Sequence, residues 1–247
     1  MASTSETGHA KNVANFEDLI SFCTGYGAAY NPSKVSIKLP ALNTLFTAAK
    51  NSLIAVTSAT TAFINATNAR VIAFEPLKKL TTRIINALTA TDASDEIVKD
   101  AKTIARKIHG RRASEKLPTI LDNPSTIENE SQKSISASQQ SYDSLIEHVS
   151  KLKDLLAAES NYIPNESDLM ITALTSMIND FKIKNTAVVN ATTALSNSRI
   201  SRNDTLYKKT TGMVDIAQEV KNYVKSVFGA TSSQYKQVSK LRFTRPR

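Results

Sequence analysis

The histidine and cysteine side chains are the first candidates for catalytic or metal-binding residues in this chain. The 247 residues include three histidines, His9, His109 and His148, and a single cysteine, Cys23. No pair of them has the short spacing of a zinc site. The sequence also lacks the phosphate-binding loop, the dinucleotide fingerprint, the metalloprotease helix and the nucleophile elbow. We therefore expect no enzyme, no catalytic or metal-ligating residue, no cofactor and no small-molecule substrate.

An acidic string at 92–96, DASDE, has acids spaced closely enough to suggest a calcium-binding loop. The other ligands of an EF-hand loop are absent around it. We interpret the string instead as a helix start, in which an N-cap residue precedes acids that face the positive end of the helix dipole.

Two short basic segments account for the net charge of +9. Residues 99–116 and residues 236–247 each have a net charge of +5, so the rest of the chain is close to neutral. Such clusters suit phosphate groups on nucleic acid or on anionic lipid. They suit equally well a role in solubility, in salt bridges within the fold, or in contacts with a neighbouring subunit's acids. The candidate interaction residues are Arg106, Lys107, Arg111, Arg112, Lys240, Arg242, Arg245 and Arg247.

The chain contains an internal repeat at an offset of 132 positions. Residues 30–86 align without a gap with residues 162–218, and 14 of the 57 positions are identical. Both copies carry one unusual string, AVTSATTAFINATNAR at 55–70 and AVVNATTALSNSRISR at 187–202. Self-similarity at a fixed offset is the signature of repeated structural units. We therefore predict a tandem duplication.

Apolar and small residues recur at spacings of three and four along both copies, a pattern that predicts amphipathic helices. Residues 41–75 and 165–211 contain neither glycine nor proline, so each copy is expected to include one long helix. The predicted fold is all-α, an elongated helical bundle built from two tandem homologous helical units. The predicted division is an N-terminal tail at 1–12, helical unit one at 13–110, a linker at 111–139 and helical unit two at 140–247, with one combined core.

Small residues dominate the doubled string, and they would allow two long helices to approach closely. The pattern predicts a tight helix–helix seam rather than a ligand site. Threonine is a poor helix former, so helices this rich in it need tertiary or intermolecular packing to hold them. This feature points to a protein whose role is association.

The sequence contains no signal for membrane insertion or secretion. The first residues have no apolar core of a signal peptide, and no window approaches eighteen apolar residues. The single cysteine excludes an intramolecular disulfide and favours a reducing compartment. We therefore expect a cytoplasmic protein and no membrane partner.

Three strings carry a resemblance to a known family: GHAKNVANFEDLISF at 8–22, YNPSKVSIKLPAL at 30–42 and FGATSSQYKQVSKLRFT at 228–244. With these strings the chain resembles an uncharacterised family of all-helical proteins of Bacteroidota, along its whole length. The resemblance implies a bacterial intracellular protein. It transfers no activity, cofactor or site residue, because none is assigned to that family.

Three classes of function remain open from the sequence. The first is a non-enzymatic structural or interaction protein that self-assembles through its long helices and basic termini, as a homo-oligomer or with a protein partner. The second is a nucleic-acid-binding protein that uses the two basic clusters. The third is a membrane-active helical protein, suggested by the uncharged stretch 51–69 and weakened by its many Thr, Ser and Asn residues.

Overall fold

The computed structural model describes residues 4–111 and 140–245, and within these ranges the chain forms α-helices and short 3-10 turns with no strand. The all-α class predicted from the sequence is therefore confirmed. The helices are α1 (Thr4–Gly25), α2 (Leu39–Phe74), α3 (Leu77–Thr89), α4 (Asp95–His109), α5 (Tyr142–Ala158), α6 (Ile171–Tyr207), α7 (Met213–Phe228) and α8 (Ser233–Ser239). Short 3-10 turns lie at Gly27–Ala29 and Val35–Ile37.

The two long helices begin at equivalent positions of the repeat. Helix α2 starts at Leu39 and α6 at Ile171, which are 132 positions apart, and they run for 36 and 37 residues. Pro40 falls in the first turn of α2, where a missing N–H costs nothing because that group has no helical partner. The proline therefore neither breaks α2 nor delays its start.

Helix ends follow the capping chemistry that the sequence suggests. The Ser94 hydroxyl accepts the N–H of Ile97, and Asp95 and Glu96 occupy the first turn of α4, so the interpretation of DASDE as a helix start is correct. Helix α4 ends at Gly110, whose φ of 74° lies in the left-handed region that favours glycine. The paired backbone bonds there, from Gly110 to Lys107 and from Arg111 to Arg106, form a Schellman motif.

The N-terminal segment differs from the prediction. Residues 1–12 were expected to form a tail, but α1 already begins at Thr4. His9 and Asn12 are buried, and both contact the Tyr207 hydroxyl, at 2.5 and 3.2 Å. Tyr207 lies almost 200 residues away from His9 and Asn12 in the sequence, so no local pattern predicts the extra helical turns.

The described helices form two compact units that do not coincide with the two sequence copies. The first unit contains Met1–Asn65 and Asn190–Arg247, and the second contains Ala66–Val189. Each unit therefore combines the front part of one copy with the rear part of the other, and the boundaries fall inside α2 and α6. The predicted linker lies outside the described residues from 112 to 139.

The length of α2 and α6 explains this grouping. A helix of 36 residues is about 54 Å long, whereas packed helices lie only about 8–10 Å apart. The short helices that flank the two ends of such a helix each need a partner from elsewhere in the chain. That partner is supplied by the other copy in both units.

Each unit has its own hydrophobic core, and the single combined core expected from the sequence stays a prediction. The first core is centred on α1 and α7, with Phe16, Leu19, Leu42, Leu206, Met213 and Val220 among its most buried members. The second is centred on α3, α4 and α5, with Leu88, Ile108, Leu152, Leu156, Leu174 and Phe181 among its most buried members. Both cores mix residues from the two copies.

One buried contact occurs at equivalent positions in both copies. The Tyr30 hydroxyl donates to the Ile37 carbonyl at 2.6 Å, and the Tyr162 hydroxyl donates to the Leu169 carbonyl at 3.0 Å. Both pairs are related by the offset of 132, and both tyrosines are buried. The duplication itself stays a prediction, and this repeated contact supports it.

Candidate interaction surfaces

The first candidate surface is a row of exposed, uncharged side chains along α2, which we call the uncharged face. Its members are spaced three and four residues apart, so they lie on one side of the helix. They are Thr44, Thr47, Asn51, Ile54, Ser58, Thr61 and Asn65. Two isoleucines on or beside this row, Ile54 and Ile64, keep 55% and 49% of their surface exposed.

The threonines of the uncharged face are less polar than their sequence suggests. The hydroxyls of Thr44, Thr47 and Thr61 each donate to the backbone carbonyl four residues earlier, at 3.0, 3.0 and 3.1 Å. A threonine hydroxyl that bonds back to its own helix leaves the methyl group as the part most available to a partner. Together with the isoleucines, these methyl groups give the uncharged face an apolar contact area between the polar side chains of Asn51, Ser58 and Asn65.

The tight seam expected for the doubled string stays a prediction, and each copy buries only a few of its residues. In the first copy of the string only Val56 is buried. In the second copy only Val188, Leu195 and Arg202 are buried. Most of the small residues therefore remain accessible.

The arginine that ends each string has a structural role. Arg70 lies over the Tyr142 ring at 3.9 Å and donates to the Asn185 side-chain oxygen at 2.8 Å. Arg202 is almost fully buried and bonds to the side-chain oxygen of Asn203. Neither arginine is therefore available as a surface charge.

The second candidate surface is the basic end of α4, in the second unit. Lys107 and Arg111 are exposed and Arg106 is half-buried, while Arg112 lies outside the described residues. Among the residues that the structure describes, no carboxylate comes within ion-pairing distance of these three side chains. Their charges are therefore available to a partner.

Two histidines beside this patch respond to its positive field. Burial lowers the pKa of His109, and the nearby charges of Arg111 and Lys78 lower it further. Burial also lowers the pKa of His148, with Lys107 as the next cause. Burial is the larger cause of both shifts, and the basic groups add to it because cations disfavour a further positive charge.

The C-terminal basic cluster behaves differently. Lys240 and Arg242 are exposed, as expected, and Arg247 lies outside the described residues. Arg245, in contrast, bonds within the chain: it donates to the Tyr207 carbonyl at 2.7 Å and forms an ion pair with Asp215 at 2.5 Å. Of the candidate interaction residues in this cluster, only two described side chains are therefore free to act as predicted. The two basic clusters belong to different compact units.

Residues 240–245, which we call the strap, are held by side chains that the sequence did not single out. The Asn12 side chain donates to the Thr244 carbonyl at 2.7 Å and accepts the Thr244 N–H at 3.0 Å. The Asn15 side chain donates to the Arg242 carbonyl at 2.6 Å. The only sequence signal for this arrangement is the pair of asparagines three positions apart on α1.

Two further contacts fix the strap. The Lys221 ammonium donates to the Leu241 carbonyl, and it also lies 5.1 Å from the centre of the Phe243 ring. Phe243 meets Phe16 edge to face, with ring centres 6.5 Å apart. We call the surface formed by Asn12, Asn15, Phe16, Tyr207, Asp215 and Lys221 the strap groove.

A further concave site lies in the second unit and is lined in part by an ion pair. An open cavity of about 350 Å³ in the second unit is lined by Lys79, Arg83, Asp168 and Met177, among others. Arg83 and Asp168 pair with each other there, so their charges are mutually satisfied.

Burial raises the pKa of the Cys23 thiol to about 12, which makes it a poor nucleophile at neutral pH.

Residues 4–111 and 140–245 hold neither a candidate metal site nor a membrane-spanning helix. These residues contain no group of three or more His, Cys, Asp or Glu side chains that could hold a metal ion. None of their helices is long and apolar enough to cross a bilayer.

No family model, curated protein or solved structure matches this chain. The resemblance to a family of Bacteroidota therefore stays a prediction from the quoted strings.

Proposed function

We propose that this protein is a non-enzymatic interaction protein that self-associates through the uncharged face of α2. The observation that carries this proposal is a long exposed helix surface without charge. No charged residue occurs from Asn51 to Ala69, although the chain as a whole has a net charge of +9. The cytoplasmic location expected from the single cysteine belongs to the same proposal.

Charge favours a second copy of the chain as the partner. Two identical molecules with a net charge of +9 repel each other, and at physiological salt the repulsion between exposed charges extends over about 8 Å. From Asn51 to Asn65 two uncharged faces can meet without bringing like charges into contact, and the exposed Lys50 lies beside this part of the face. A strongly acidic partner would instead be expected on a basic surface.

The spacing of the uncharged face is typical of a helix pair. Its members alternate at intervals of three and four residues, the pattern that lets two helices interlock along a seam. Small neighbours such as Ala55 and Ala62, both exposed, allow the helix axes to approach to the short end of the usual 8–10 Å range. Asn51 and Asn65 in the seam would favour one register, because each needs a polar partner across it.

Apolar burial supplies the driving force. Fully burying an isoleucine is worth about 1.5–3 kcal/mol, so a side chain that is half exposed contributes about 1 kcal/mol when covered. Ile54 and Ile64 from both copies would then contribute about 4 kcal/mol in total, before the methyl groups of the threonines are counted. This favours reversible association rather than a permanent complex.

A charge placed on the uncharged face tests the proposal. Thr61→Glu puts carboxylates from both copies into the seam, so the association constant measured by sedimentation should fall at least about tenfold. The matched control is Thr175→Glu on α6, because Thr175 is also exposed and also bonds back to the carbonyl four residues earlier. Equal association of both variants and the unaltered protein would overturn the proposal, as would a monomer at all concentrations.

A second candidate function is polyanion binding by the basic end of α4. The supporting observation is that Lys107, Arg111 and the exposed Lys102 have no carboxylate partner among the described residues. Binding to duplex DNA would weaken with salt, with a log–log slope of about 0.9 for each phosphate that is neutralised.

Charge reversal distinguishes specific phosphate contacts from general basicity. Lys102→Glu together with Lys107→Glu should lower the magnitude of the salt slope by about 2, because two contacts are lost. Lys11→Glu together with Lys236→Glu is the control, since both lysines are exposed and lie in the other unit. An equal loss in the control would show that net charge alone attracts DNA, and no salt-dependent binding would exclude this function.

A further inference from the structure

The strap groove recognises a polypeptide mainly through its backbone. Asn12 forms a reciprocal pair with the N–H and the carbonyl of Thr244, and Asn15 and Lys221 bind the carbonyls of Arg242 and Leu241. Side-chain amides that bond to backbone groups hold an extended segment much as a neighbouring strand would. The mode of contact is that of a receptor holding a peptide.

Two side chains of the strap add specificity. Phe243 is half-buried between Phe16 and the Lys221 ammonium. Arg245 reaches Asp215 and the Tyr207 carbonyl. Burial lowers the pKa of Lys221, which indicates that its ammonium is drawn into the fold to make these contacts. The groove thus recognises an aromatic residue that is followed two positions later by an arginine.

The contacts do not require that the strap and the groove belong to one chain. Leu241 keeps a backbone bond to Val238 at the end of α8, but the contacts of residues 242–245 reach α1, α6 and α7, at least 22 positions away in sequence. A strap from another molecule would make the same bonds. When two copies exchange an identical segment, the number and kind of contacts stay the same. The balance between the closed monomer and the exchanged dimer therefore depends on protein concentration.

We propose that the strap groove is a peptide-binding site that accepts residues 240–245 of a second copy, so that copies of the chain associate by exchanging straps. This rests on the proposed self-association and adds a surface distinct from the uncharged face. The intramolecular strap acts as a competitor at an effective concentration of about a millimolar, the usual value for a short tether. Exchange is therefore favoured when the protein is concentrated.

Two complementary variants test strap exchange. A groove variant, Asn15→Ala with Asp215→Asn, weakens the receptor but keeps an acceptor for the Thr210 N–H that Asp215 binds at 2.8 Å. A strap variant, Phe243→Ala with Arg245→Ala, weakens the ligand. Both are made in the Thr61→Glu background, so that association through the uncharged face is removed. Circular dichroism of each variant establishes that it is folded before the association is measured.

The mixture gives the decisive measurement. Light scattering should find each variant monomeric alone, while the equimolar mixture forms dimers, since an intact strap meets an intact groove only between the two variants. Arg242→Ala is the control for strap substitutions, because the side chain of Arg242 is exposed and only its carbonyl is held. It should exchange like the unaltered strap.

A labelled peptide of residues 239–245 provides the second readout. It should bind the strap variant at least about tenfold more tightly than the unaltered chain, because the competitor has been weakened. A mixture that behaves as the sum of its parts, with no gain in peptide binding, overturns strap exchange and leaves the uncharged face to be judged by Thr61→Glu alone. Dimers in the mixture, with no effect of Thr61→Glu on the unaltered chain, would support exchange and reject the uncharged face.

Discussion

The repeated tyrosine contact gives the sharpest test of the internal repeat. In each copy a buried tyrosine hydroxyl donates to the carbonyl seven residues later, from Tyr30 to Ile37 and from Tyr162 to Leu169. Tyr30→Phe and Tyr162→Phe remove only the hydroxyl oxygen and keep the ring. The two substitutions should therefore destabilise the protein by similar amounts if the contacts are equivalent.

The expected cost follows from the burial of the partner. A hydrogen bond in water contributes about 0.5–1.5 kcal/mol net, and a buried carbonyl left without its donor costs about 1–3 kcal/mol. We expect about 1–2 kcal/mol for each substitution. For a chain of this size, 1 kcal/mol lowers Tm by about 2–4 °C, so each variant should melt about 2–8 °C lower.

One difference between the copies refines the prediction. The Cys23 thiol lies beside the Tyr30 hydroxyl, whose pKa is raised by burial and then by this thiol, whereas the second copy contains no cysteine. Tyr30→Phe should therefore cost slightly more than Tyr162→Phe. In a Cys23→Val background the two costs should converge.

Urea denaturation followed by circular dichroism measures the free energies. Because the two tyrosines share no partner, the double variant should lose the sum of the single losses within about 0.5 kcal/mol. A loss above 1 kcal/mol for one tyrosine and none for the other would refute the equivalence. Such a result would mean that the geometric match at the offset of 132 has no energetic counterpart.

The remaining predictions concern packing, pH and a helix end. Leu195→Ala should cost about 2–5 kcal/mol, whereas Phe63→Ala at the equivalent position should cost less, because Phe63 is only half-buried; urea midpoints test the order. Folding lowers the pKa of His148, so stability should fall as the pH drops below about 6.5, where the unfolded chain gains a proton that the folded chain resists. His148→Gln should flatten that loss, and an unchanged profile would contradict the reasoning. Gly110→Ala should cost about 1–2 kcal/mol, since its left-handed φ is strained for alanine and the new Cβ would lie 2.9 Å from the Gln140 side chain; an unshifted Tm would refute this.

The two association surfaces respond to different conditions. The uncharged face depends on apolar burial, so its strength should change little with salt. The strap depends partly on the ion pair between Arg245 and Asp215, whose exposed charges are screened as salt rises. Comparing association at low and high salt therefore indicates which surface dominates in the unaltered protein.

The sequence by itself determined the local structure of this protein. Spacing of three and four, and the absence of glycine and proline, specified helices along α2 and α6, since a helix is closed by bonds between near neighbours in sequence. Capping chemistry placed the start of α4 after Ser94 for the same reason. The uncharged stretch within α2 was also visible in the sequence, because charge is a property of composition.

Only the tertiary structure decided which helices meet. Each core joins parts of both copies, a pairing that depends on contacts between residues far apart in the chain, and periodicity carries no information about them. One prediction failed for this reason: the tail at 1–12, within which α1 already begins at Thr4 and His9 and Asn12 contact Tyr207. The strap was hidden in the same way, because Asn12 and Thr244 are brought together only by the fold.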